Sequence, residues 1–153
     1  RDQIRLWKVP AKPDVLTASI AFLSGILAYR AANWIQVPIP FDLTSVETIF
    51  LLLILAPILE EAIFRLALWH AFCALFQQGW IVVFATTLIF AAGHFAAYFL
   101  VPEQFQDFVL YQTFYVSLLG AAAGWRRLRS KSLTAAVLIH FGFNFGFFLG
   151  SIG

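Results

Sequence analysis

Five long apolar stretches occupy most of the chain, and they limit its folding more than any other feature. A bilayer core of about 30 Å needs about 20 apolar residues in a helix. The stretches run from about Val15 to Ile35, Thr44 to Phe76, Trp80 to Val101, Phe108 to Trp125, and Leu133 to Leu149. The second is too long for one simple span. Composition agrees: 61% of the 153 residues are hydrophobic and 12% are charged. A soluble domain carries about 25% charged residues, so this chain could not cover a water-exposed surface. The expected fold is all-α, a polytopic transmembrane helical bundle of about five spans. The net charge of +2 is too small to point to nucleic acid. The single cysteine, Cys73, excludes an intramolecular disulfide and reads as a small packed residue. The first apolar run starts late and is too long for the core of a cleavable signal peptide. The chain lacks methionine and begins at Arg1, which reads as a piece or processed form of something longer.

Breaks fall at Val37-Pro38-Ile39-Pro40, at Gln77-Gln78-Gly79, around Pro102, and along the basic stretch from Arg126 to Lys131. Thr44 followed by Glu47 fits a capping box opening the second helix. Trp34, Trp80 and Trp125 fall near span ends, as interfacial anchors do. Arg1, Arg5, Lys8 and Lys12 precede the first span, and Arg126, Arg127, Arg129 and Lys131 lie between the fourth and fifth. With five spans both groups share one side, which the positive-inside rule makes cytoplasmic. The N-terminus is then cytoplasmic and the C-terminus outside. The basic groups read as topology signals that also favour anionic lipid.

Charge inside the spans is the next constraint, because ionised side chains at mid-membrane are costly and face the bundle interior. Arg30 sits one turn before Trp34 and can snorkel to the interface. Glu61 and Arg65 are spaced i,i+4 and can pair on one helix face. Glu60 is rotated by about 100° and lacks a partner on its own helix. It reads either as a general acid or base or as a protonated member of a structural ion-pair cluster. Pro57 frees the carbonyl of Leu53 and can open room beside the carboxylates. Phe90 and His94 are i,i+4 on the third stretch, and His140 and Asn144 are i,i+4 on the fifth. Glu60 and His94 lie at similar distances from the turn near Gln78, within about 3 Å in height. Glu60, His94 and His140 can therefore share one level in the cytoplasmic half. Trp69 and His70 read as interfacial. Most phenylalanines of the last helix, Phe141, Phe143, Phe145, Phe147 and Phe148 among them, read as facing lipid.

Taken in order, Glu60-Glu61-Ala-Ile-Phe-Arg65, Phe90-Ala-Ala-Gly-His94 and His140-Phe-Gly-Phe-Asn144 read as E-E-x-x-x-R, F-x-x-x-H and H-x-x-x-N. Each lies on its own apolar helix. Together they resemble the CPBP family, which groups CAAX prenyl endopeptidases with bacteriocin-processing and related intramembrane proteases. The resemblance covers about residues 50–150. It divides the chain into residues 1–42, a basic arm and first transmembrane helix, and residues 43–153, an intramembrane protease core.

The resemblance implies an intramembrane endopeptidase in a prokaryotic plasma membrane, acting on a membrane-associated or lipidated peptide. Glu60 would activate a water that His94 helps to hold. His140 and Asn144 would stabilise the oxyanion. Glu61 and Arg65 would support the site, and Phe90 would pack as its wall. A metal-free mechanism is favoured; Zn²⁺, if present, would be held by Glu60, His94 and His140. The expected partners are membrane lipid and the peptide substrate, with oligomeric state open. Two other classes fit the same residues. One is a non-catalytic peptide-binding or bacteriocin-immunity protein. The other is a proton or ion pathway, which the ordered triple motif argues against.

Overall fold

The computed structural model describes residues 8–152. Arg1 and Arg5 of the basic arm lie outside the described residues. Among these residues the chain is helical and has no strand. Helix α1 is Lys12–Trp34 and α2 spans 46–75. Helix α3 is Gly79–Ala96, α4 is Gln106–Ser130 and α5 is Leu133–Ile152. By length and composition Lys12–Trp34, Gly79–Phe99 and Leu133–Ile152 can cross a membrane. Helices α2 and α4 are long enough but carry charge or amides: Glu60, Glu61 and Arg65 in one, Gln106, Asp107 and Gln112 in the other. Their polar faces need protein neighbours, and the bundle supplies them.

Helices α1 and α5 form the closest pair, and small residues explain why. Gly142, Gly146 and Gly150 repeat at four-residue spacing and meet Ala18, Phe22 and Ile26 at the same spacing on α1. The two helices therefore run parallel. Opposite the glycines, α1 buries the stripe Ala18, Ala21, Gly25, Ala28 and Ala32. Without side chains in the way the backbones touch, which is how helices associate where apolar surface alone gives no drive. A Cβ on Gly146 would lie 1.9 Å from the carbonyl oxygen of Phe22. Gly146→Ala should therefore push α1 from α5 and cost about 1–3 kcal/mol, as overpacking does. A melting temperature equal to wild type in detergent would refute this close packing.

Asp14 ties α1 to α4. One carboxylate oxygen accepts from the Ala11 N–H at 2.8 Å, and the other accepts from Arg126 Nε at 3.0 Å and Nη2 at 2.5 Å. Asp14 is buried. The start of α1 and the end of α4 thus share one end of the bundle, as the charge distribution requires. Helix α4 stops at Lys131, whose left-handed φ of 53° turns the chain into α5.

Several local expectations change. Ser45, not Thr44, caps α2: its hydroxyl accepts from the Thr48 N–H and donates to Glu47. Thr44 is occupied by Asp42, to which its N–H donates at 2.9 Å and its hydroxyl at 2.6 Å. Those bonds hold the Asp42 carboxyl below the usual carboxylate range. Trp69 packs inside the bundle, with the Arg127 guanidinium 5.2 Å from its ring centre. Cys73 is exposed on α2. Phe143 and Phe147 belong to the core beside Tyr115 rather than to the lipid face.

Candidate active site

Helix α2 builds the site through its irregularity. It alternates α-helical turns with two π turns, Leu51–Leu55 and Ala62–Ala67. In the first, the Ala56 N–H donates to the carbonyl of Leu51, five residues back. The next bond in that register would run from residue 57 to Leu52, but Pro57 has no N–H. The carbonyl of Leu52 is therefore left without that donor. Asn144 supplies one: its Nδ2 donates to the Leu52 oxygen at 2.7 Å. A half-buried carbonyl is satisfied, and α5 is latched to α2 just before the glutamates. Insertions of this kind often mark functional sites.

Between the two π turns, Glu60 and Glu61 point to different neighbours that meet at His140. Glu61 is fully buried and pairs with Arg65 Nε at 3.3 Å. Its other oxygen lies 2.9 Å from His140 Nδ1. With a carboxylate as acceptor, Nδ1 carries a proton and donates. The opposite ring nitrogen, Nε2, lies 3.7 Å from Glu60 Oε2. That oxygen is itself buried and has no hydrogen-bond partner among the described residues. His140 thus stands between two carboxylates, firmly bound to one and loosely facing the other.

Arg65 is held on three sides. Besides Glu61, its Nη2 donates to the Gly120 carbonyl at 2.8 Å, and its guanidinium lies 4.9 Å from the Phe90 ring centre. Gly120 was not among the expected site residues. A Cβ there would crowd Phe90 Cδ1 at 3.0 Å and Arg65 Nη2 at 3.1 Å. The readable signal was Gly120-Ala-Ala-Ala-Gly124, whose spacing allows close helix packing. The buried Phe90 ring also meets His94 edge-on at 4.7 Å and His140 at 5.9 Å. His94 donates from Nδ1 to the Phe90 carbonyl at 3.0 Å, which leaves Nε2 for other partners.

Glu60, His94, His140 and Asn144 line one cavity of about 80 Å³. Helix α2 contributes Leu52, Ala56 and Glu60, one face at i, i+4 and i+8, with the small Ala56 leaving room. All four expected residues are therefore brought together, with Glu61, Arg65 and Phe90 packed behind them. The cavity is large enough for water, and its polar groups can bind one. Among the described residues no set of three or more His, Cys, Asp or Glu gathers as a metal ion requires.

Fold and site together define a polytopic helical membrane protein with an acid–base cluster enclosed between its helices. The family model for type II CAAX prenyl endopeptidase Rce1-like proteins matches residues 42–146, about two thirds of the chain. The chain belongs to this protease family. Comparison with curated proteins and with solved structures gives no match.

Proposed function

We propose that the protein is an intramembrane endopeptidase in which Glu60 activates water to hydrolyse a peptide bond of a lipidated or membrane-associated substrate. One observation carries the reading. A carboxylate oxygen with no hydrogen-bond partner among the described residues, Glu60 Oε2, stands beside His140 in a water-sized cavity that His94 and Asn144 also line. Water held between Glu60 and His94 Nε2 gives its proton to Glu60 and attacks the scissile carbonyl carbon. The carbonyl π pair moves to oxygen. His140, protonated on both nitrogens while its Nδ1–H rests on Glu61, donates from Nε2 to that oxyanion. Asn144 donates with the N–H not used by Leu52. The C–N bond then breaks and Glu60 returns its proton to the leaving amine. Donors fixed on packed helices need little reorganisation as charge develops, which is where such sites gain rate.

The reading is metal-free, because the carboxylate and histidines already have roles that need no ion. It places the basic end of the bundle on the cytoplasmic side. The test is cleavage of a prenylated CAAX peptide by purified protein in liposomes, with mass spectrometry locating the cut. Expected is cleavage that persists undiminished through strong chelation, with no stoichiometric metal by elemental analysis. Activity lost to chelator and restored by Zn²⁺ would overturn the metal-free part. A protein that binds the peptide and never cuts it would overturn the whole.

A further inference from the structure

Helix α4 contributes no acidic or basic side chain to the cavity lining, but it contributes an amide. Gln112 lines the cavity together with Glu60, His94, His140 and Asn144. Several other polar side chains of α4 are turned elsewhere. Gln106 donates to the Tyr98 carbonyl, Tyr111 to Ala28, Thr113 to Val109 and Ser117 to Thr113. Gln112 lies beside Tyr115, which lines the same cavity one turn further on. Tyr115 is wedged against Phe143 and Phe147, at ring distances of 5.1 and 6.0 Å. A fixed tyrosine thus bounds one side of the amide. A primary amide has two N–H groups and a carbonyl with two lone pairs. It can offer a peptide both a donor and an acceptor.

We infer that Gln112 is a substrate-positioning residue that hydrogen-bonds a backbone amide of the peptide beside the scissile bond. The inference rests on the endopeptidase reading and names a recognition element that the motif residues do not include. The chemistry selects the partner. A peptide group presents a donor and an acceptor, as the Gln112 amide does, whereas a lipid chain presents neither. The surrounding wall is apolar: Phe41, Leu43, Val116, Leu119 and Phe148. A backbone amide entering it loses water and needs a replacement partner. Gln112 can be that partner without dictating the substrate's side chains.

The probe is a prenylated CAAX peptide and a set of analogues, each carrying one backbone ester in place of an amide away from the scissile bond. An ester removes the N–H and weakens the carbonyl as acceptor. Gln112→Leu should raise KM by about 10- to 100-fold with kcat nearly kept, as when a buried hydrogen bond loses one partner. In wild type one ester position should cost a similar factor, and in Gln112→Leu that position should cost nothing further. Gln112→Asn, one methylene shorter, should fall between them. Circular dichroism and thermal unfolding check each fold. If Gln112→Leu does not fold, Gln112→Asn carries the same ester comparison. Equal ester penalties in wild type and variant would overturn the inference while leaving the endopeptidase reading in place. Wild type that cuts no better than Glu60→Gln would overturn both.

Discussion

Glu60→Gln should lower the single-turnover cleavage rate by about 10²–10⁴-fold, the usual contribution of a general base, and leave the fold intact. The two halves of this expectation have separate causes. Glutamine keeps the shape of the side chain but cannot take a proton from water. Stability should hardly change, because the oxygen facing His140 makes no hydrogen bond to lose and the 3.7 Å contact is long. The neighbouring substitution should behave differently. Glu61→Gln removes the partner of both Arg65 and His140, so it should destabilise the protein as well as slow it. Single-turnover measurement matters, because slow product release can hide a chemical defect under steady-state conditions. Binding of the uncut peptide should survive in Glu60→Gln. A near-normal rate in a folded Glu60→Gln would remove Glu60 from the chemistry. His94→Ala offers an independent check and should show a large loss with the fold kept, since its contacts are the Nδ1 bond and edge-on packing to Phe90 on its own helix.

How far the site could be read in advance depended on how local each contact was. Glu61 and Arg65 were legible as a pair because four-residue spacing on one helix decides it. His140 was legible as facing inward, but not its choice of partner. Glu60 and Glu61 differ by about 100° around α2, and the helix from which His140 approaches is not encoded locally. Asn144 was singled out, yet its bond to Leu52 depends on a π turn next to Pro57 that leaves the Leu52 carbonyl without a backbone donor. Hydropathy carries no trace of such a turn. Asp14 lies beside a basic arm and carries no sequence signal of its own. Its burial against Arg126 joins helices more than a hundred residues apart in sequence. By contrast, the glycines of α5 stood in plain four-residue spacing, and small residues at a helix contact are a readable sign. The phenylalanines concealed them: a helix rich in aromatics on every face looks lipid-facing, though Phe143 and Phe147 pack inward.

Arg65→Leu should destabilise the protein by about 3–5 kcal/mol, the cost of leaving one member of a buried ion pair without its partner. The substitution strands Glu61, which is fully buried, and also the Gly120 carbonyl that Arg65 Nη2 satisfies. Lysine should not rescue it. The native residue reaches Glu61 with Nε and Gly120 with Nη2 while its plane lies near Phe90, and a single ammonium cannot do all three. The double variant Glu61→Gln/Arg65→Leu separates charge burial from catalysis. Removing both charges should recover much of the lost stability, because the desolvated carboxylate is gone. It should not recover activity, since His140 loses the negative charge that holds the proton on its Nδ1 and favours a doubly protonated ring. Thermal unfolding of the four proteins in one detergent gives the coupling as a double-mutant cycle. Strictly additive melting shifts would mean that Glu61 and Arg65 do not act as a unit. Activity restored along with stability would mean that Glu61 does nothing for His140.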